Sequence, residues 1–136
     1  MPFNHDSIKA WLADCEAENV EGPIPFTVGQ DDWPAEVDGV FSANTAHIMQ
    51  VHESELMMRL VGKHLPTGGV FCQYGPFNVN GQYTSESNAA FDQHLAAEGC
   101  GGIRDINELQ AWATNLTLVE RVSMPANNFL LVWKRC

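Results

Sequence analysis

Two compact apolar runs joined through one helical stripe constrain this chain more than any other feature. V-D-G-V-F-S-A at Val37 to Ala43 and V-F-C-Q-Y at Val70 to Tyr74 are short and apolar, and they are closed by Asn44 and by Gly75-Pro76. Between them, Leu56, Met57, Leu60, Val61 and Leu65 recur at helical spacing over Glu53 to Leu65, and Pro66 with Gly68-Gly69 ends that stripe. Strand, helix and strand in this order make a crossover, which sets the two strands parallel in one sheet. Val37 to Ala43 alternates so little that it reads as a strand buried on both faces. The expected class is α/β.

The flanks complete the pattern. Ile8, Trp11, Leu12 and Cys15 place an amphipathic helix over Asp6 to Asn19, closed by Gly22 and Pro23, and Ile24 to Val28 reads as a short strand. After the Asn-, Gly- and Ser-rich loop that follows Pro76, helices are expected over Glu86 to Ala97 and over Ile106 to Trp112, the second with Asp105 as N-cap. Leu116 to Val122 and Phe129 to Trp133 are strand-like and separated by little more than M-P-A-N-N. So short a link implies an antiparallel hairpin. Trp11, Trp33, Trp112 and Trp133 follow no pattern and read as core or groove fillers.

Charge and cysteine usage narrow the function classes. A formal net charge of −10 with no basic run repels a phosphate backbone, so nucleic acid is not the expected substrate. No apolar run approaches membrane-spanning length, and no basic-then-apolar leader pattern opens the sequence. Cys15, Cys72, Cys100 and Cys136 stand far apart without a C-x-x-C pair, the pattern of reduced thiols in a cytoplasmic protein. His47 and His52 lack the i, i+4 spacing of a zinc helix, so no metal site is expected. At 136 residues the chain is expected to form one domain, short for an α/β enzyme with a complete nucleotide-type site.

Several motifs carry a resemblance. N-T-A-H-I at Asn44 to Ile48, Y-G-P-F at Tyr74 to Phe77, S-N-A-A-F-D at Ser87 to Asp92, G-I-R-D ending at Asp105 and M-P-A-N-N ending at Asn128 stand in this order. Together they resemble the methyltransferase-like protein 26 family, a domain of unknown function (DUF 938) placed among S-adenosylmethionine-dependent methyltransferases, over a span from about Asp6 to the C-terminus. The resemblance implies the C-terminal portion of a Rossmann-like class I methyltransferase fold, a partly parallel sheet ending in an antiparallel hairpin. It also implies an S-adenosylmethionine cofactor and a small-molecule acceptor.

Family members open with a strand ending in a G-T-G-type turn and a second strand ending in an acidic residue, and neither occurs in these 136 residues. Thr27 stands where the family tends to carry Asp. The domain is therefore expected to be N-terminally incomplete, with little or no cofactor binding by this chain alone. Its strand edge would be covered by a partner or by a homo-oligomer. The alternative to an enzyme is a non-catalytic or truncated relative that acts as a partner-binding module.

Candidate site residues follow from strand ends, since ligands of open α/β sheets sit beyond the carboxyl ends of the strands. Asn44 and Thr45 are candidates for the adenine side of the cofactor. His47 is the candidate general base, or else a histidine packed on the sheet. Tyr74 and Phe77 would line the acceptor pocket, unless they serve as a strand terminator and a core ring. Asn88 and Arg104, near Asp92 and Asp105, read either as an acceptor-orienting cluster or as a structural set with an Arg104–Asp92 bridge. Asn127 and Asn128 read as pocket-facing or as turn residues that tolerate left-handed dihedrals. Asn44, His47, Tyr74 and Phe77 are expected to gather at one end of the sheet.

Overall fold

The computed structural model describes residues 1–136, which group into two compact units, Met1–Pro34 and Ala35–Cys136. In the first, a 3-10 turn over Pro2–Asn4 leads into helix α1, His5–Asp14. The helix stops short of the expected Asn19. Its apolar stripe ends at Cys15, and Asp14, Glu16 and Glu18 put negative charge against the negative carboxyl end of the helix. No residue of α1 is buried, and Trp11 is 73% exposed, so it fills no core.

Residues 24–28 form no strand, contrary to the sequence expectation. Pro25 removes a ladder donor from within the run, and Pro23 removes the one just before it. In its place Thr27 anchors a turn: its N–H donates to Asp31 Oδ2 (2.6 Å) and its carbonyl accepts from Gln30 and Asp31. Phe26 meets Trp33 edge-on, with ring centroids 6.0 Å apart.

The second unit holds β1 (Gly39–Ala43), α2 (Val51–His64), β2 (Val70–Gly75), α3 (Glu86–Ala97), α4 (Ile106–Trp112), β3 (Leu116–Met124) and β4 (Asn128–Arg135). The four strands form one sheet in the order β1-β2-β4-β3. β1 pairs parallel with β2, β2 antiparallel with β4, and β3 antiparallel with β4. The crossover and the hairpin both stand as the sequence implies. The fold is the mixed α/β arrangement expected, a partly parallel sheet ending in an antiparallel hairpin.

One expectation for β1 is overturned. It is not buried on both faces: it forms an edge of the sheet, its residues alternate between exposed and half-buried, and Phe41 is 69% exposed.

The core sits on the central strands. Phe71 lies opposite Trp133 and Gln73 opposite Leu131, all four buried on one face of β2 and β4. Trp133 Nε1 donates to Gln73 Oε1 (3.2 Å), which satisfies both polar groups inside the apolar layer. Met58 and Val61 of α2, Ile106 and Leu109 of α4, and Leu95 of α3 are the buried apolar side chains of the helices that complete it.

Local sequence sets the helix starts. At α2, Gln50 and Glu53 form a reciprocal capping box, which starts the helix two residues before the expected Glu53. Ser85 caps α3 by accepting from Asn88 N–H (3.1 Å). Asp105 and Glu108 form a second capping box on α4.

Candidate functional site

The carboxyl ends of β1 and β2 lie side by side, and the turn after β1 is bound to them. Asn44 takes a left-handed conformation (φ 55°) and its N–H donates to the Tyr74 carbonyl (2.9 Å). Asparagine tolerates that dihedral better than most residues, so the chain can leave the strand sharply there. Thr45 Oγ1 donates back to the Ala43 carbonyl (3.1 Å), and the Thr45 carbonyl accepts from Ile48 and Met49. The resulting tight turn presents His47.

His47 is 6% exposed, and its carbonyl accepts from Gly102 N–H (3.1 Å). Gln50 Nε2 bonds the Gly99 carbonyl (2.7 Å), and Gly101 leaves no room for a side chain beside Met49 and Gln50. These contacts clamp the turn against residues 99–102. The His47 ring meets Phe91 of α3 edge-on at 5.4 Å between centroids. Burial lowers its pKa below the ordinary 6.5, because removing water disfavours the charged imidazolium. His47 is therefore neutral at physiological pH.

Beside this turn is a cleft of about 390 Å³. Asn44 and His47 line it from the turn after β1, Pro76 from the position after β2, Ser87, Asn88 and Phe91 from α3, and Ala126 and Asn128 from the β3–β4 hairpin. No Lys, Arg, Asp or Glu lines it. Such a cleft offers one neutral imidazole, several amides and one aromatic wall, a set suited to orienting a small ligand by hydrogen bonds.

Asn44, His47, Tyr74 and Phe77 do gather at one end of the sheet. A Cβ built on Gly75 would lie 3.8 Å from both Asn44 Oδ1 and His47 Nδ1, and 3.9 Å from Phe77 Cε2. Asn88 also lines the cleft, but its amide is committed to Thr84 Oγ1 (3.1 Å) and the Asn127 carbonyl (3.3 Å). Tyr74 accepts from Asn128 Nδ2 through its hydroxyl (3.1 Å). Phe77 is 1% exposed and belongs to the core. Asn127 sits in the hairpin turn (φ 60°) and donates to Ser87 Oγ (3.2 Å).

Arg104 is not among the cleft-lining residues. It pairs with Glu108 (3.2 Å) and with the Gly101 carbonyl (2.9 Å), where the sequence suggested Asp92 as partner. Asp92 instead accepts from Ile103 N–H (2.8 Å) and from the Tyr83 hydroxyl. The Asp92 hydrogen bond, followed by partial burial and the carboxylate charge, raises the Tyr83 pKa.

Ser87, Phe91 and Ala126 line the cleft without being singled out as site residues from the sequence; Asn128, which reads with Asn127 as pocket-facing or as a turn residue, and Pro76, inside the Tyr74 to Phe77 segment, line it as well. Phe91 and Ser87 stand inside the S-N-A-A-F-D segment and Asn128 inside M-P-A-N-N, so the motifs themselves carried the signal.

Several solved structures share this fold. LaPhzM matches with a TM-score of 0.79 at 14% identity, over 100% of this chain and 41% of its own. An O-methyltransferase family 2 protein from Planctomyces limnophilus, solved in complex with apigenin, matches with a TM-score of 0.73 at 16% identity, over 82% of this chain and 33% of its own. CalO1, a methyltransferase in calicheamicin biosynthesis in its SAH-bound form, matches with a TM-score of 0.61 at 17% identity, over 73% and 30%. The chain thus has a methyltransferase-like fold and spans between 30% and 41% of the length of these three proteins. The model of the family described as protein of unknown function (DUF938) matches residues 2–135, and the chain belongs to that family.

Proposed function

We propose that this protein is a methyltransferase of the methyltransferase-like protein 26 type that uses S-adenosylmethionine and a small-molecule acceptor. The observation that carries the reading is His47: a neutral imidazole, clamped at the carboxyl end of a parallel strand, on the wall of a cleft without charged side chains. Methyl transfer needs proximity, orientation and one base, and those are what this cleft offers. The Planctomyces protein was solved with apigenin, a hydroxylated aromatic, and the Phe91 wall with the Asn44 amide suits ligands of that kind.

The residues present fit one side of the cofactor. Asn44 is exposed and left-handed at the strand end, with its side-chain amide free to meet a nucleobase edge. Thr45 beside it has already spent its hydroxyl proton on the Ala43 carbonyl, leaving acceptor capacity only. A nest of glycine N–H groups for a carboxylate and an acidic strand end for ribose hydroxyls are not found in these 136 residues. When bound, the cofactor would supply an electrophilic methyl group. His47 holds the acceptor hydroxyl and takes its proton, while Phe91 and Pro76 keep water from one side of the cleft.

The test is transfer of labelled methyl from S-adenosylmethionine to a panel of phenols by the whole protein. His47→Gln is expected to lower kcat about 100-fold or more, the usual contribution of a positioned base. The native rate should reach its plateau at a pH below that of an unperturbed histidine. Unchanged turnover in the variant would refute the assignment. Calorimetry is expected to show no appreciable cofactor binding by residues 1–136 alone.

A second reading has its own observation. Phe41 stands 69% exposed on an edge strand, the arrangement of a surface that pairs with another chain. A protein that associates stoichiometrically in sedimentation but transfers no methyl group would favour this partner-binding module.

A further inference from the structure

The chain carries seven Lys and Arg against 17 Asp and Glu, yet three of the seven cations line one depression. Arg59 and Lys63 project from adjacent turns of α2, Arg135 ends β4, and Thr114 with Asn115 closes the site from the turn before β3. It holds about 460 Å³ and lies at the amino ends of the parallel strands, because Arg135 directly follows Lys134, the partner of the first β2 residue, Val70. The candidate active cleft is at the other end of the same strands, about 17 Å away at the usual rise per residue.

We propose that this depression is a binding site for a small phosphate-type oxyanion. Two independent observations support it. Clustering cations in a molecule of net charge −10 creates a local positive potential where the rest of the surface is negative. Moreover, the Arg135 guanidinium is under-satisfied: Nε is buried without a hydrogen-bond partner, Nη1 has a single backbone acceptor, and Nη2, which is not enclosed, has none, so it is left to an anion in the depression. The α2 dipole accounts for Lys63 in the last turn, but not for Arg135 on a strand.

The walls are held in place in advance. Arg135 N–H donates to the Gly69 carbonyl (2.8 Å), and Gly68 N–H donates to the Arg135 carbonyl (2.9 Å). Cys136 N–H reaches the Asn115 carbonyl (2.9 Å). Arg59 Nε and Nη2 both donate to Glu55 (3.3 and 2.8 Å) and Nη1 donates to Thr114 Oγ1 (3.3 Å), so its guanidinium is held as a wall of the site, its charge partly offset by Glu55, and Lys63 and Arg135 carry most of the attraction. Arg135 Nη1 donates to the Cys136 carbonyl oxygen (2.7 Å). Lys63 has no carboxylate partner, and its three donors are free for a ligand.

The experiment titrates the whole protein with inorganic phosphate, and separately with glycerol phosphate, against chloride at matched ionic strength. Calorimetry gives the affinity and amide NMR gives the location. Saturable binding of either phosphate is expected, with shifts concentrated at Thr114, Asn115 and Arg135. A tighter arm identifies free phosphate or its monoester as the preferred form. Lys63→Gln is expected to weaken binding roughly tenfold, Lys63→Arg to retain it within about twofold, and Lys9→Gln, which makes the same change in net charge elsewhere, to leave it unaltered. Lys63 is exposed, so both variants should keep the native circular dichroism spectrum. Equal responses to phosphate and chloride, shifts away from these residues, or native affinity in Lys63→Gln would each overturn the proposal.

Discussion

Replacing Gly62 by alanine tests whether helix propensity or packing governs α2. Alanine is better than glycine inside a helix by about 1 kcal/mol, so propensity alone predicts a more stable protein. The packing predicts the reverse. A Cβ on Gly62 would overlap the Thr114 carbonyl oxygen and come within 3.5 Å of the Leu116 side chain. The overlap is with backbone, which no rotamer change relieves, so α2 must retreat on the order of an ångström from the turn before β3. That movement draws Met58 and Val61, both 0% exposed, out of the core. Overpacking of this kind costs about 3 kcal/mol, and subtracting the propensity gain leaves a net loss of about 2 kcal/mol. In urea, with a slope of roughly 1.5 kcal/mol per molar, the midpoint should fall by about 1.3 M. A midpoint that rises or stays put would refute the reasoning and show that α2 and the turn before β3 have slack.

The pH dependence of stability follows from His47. Its folded pKa is below the unfolded 6.5, so the unfolded chain binds more protons between those two values; stability is intact above pH 6.5 and falls as pH drops through that window. In urea unfolding, His47→Gln should therefore lose less stability than the native protein on going from about pH 7.5 to about pH 5. Asp92→Ala leaves Ile103 N–H unpaired and should cost about 1–3 kcal/mol. In an absorbance titration of phenolate the same variant should lower the Tyr83 pKa, because the Asp92 hydrogen bond is the largest cause of its rise. Phe41→Ser should change the unfolding free energy by less than about 0.5 kcal/mol, whereas Trp133→Ala, at 0% exposure, should cost about 3–5 kcal/mol.

Periodicity placed α3 and α4 at their observed bounds, Glu86–Ala97 and Ile106–Trp112, because each has a clear capping residue and an abrupt end to its pattern. The hairpin was equally legible, since so few turn residues leave no other pairing. Residues 24–28 misled because apolar content was weighed above the missing donors of Pro23 and Pro25. The burial of β1 misled for another reason: a sequence records that a strand is apolar, not which elements cover it, and Phe41 remains exposed. At the site, position relative to strand ends brought Asn44 and His47 together. Side-chain partners were beyond reach, as Arg104 shows by choosing Glu108, one helical turn along, over Asp92.

β4 lies between β2 and β3 and is the last strand to leave the ribosome. β1 and β2 therefore emerge before the strand against which β2 finds its second partner, and Phe71 has no counterpart until Trp133 has been synthesised. The local β3–β4 hairpin, with its short loop closure, is the element able to form fastest once synthesised. It then serves as the template on which β2, and through it β1, docks. Pairing of the sheet thus waits on the β3–β4 hairpin, and a ribosome stalled before residue 128 would hold β1 and β2 without the strand that completes their core, a ready substrate for chaperones.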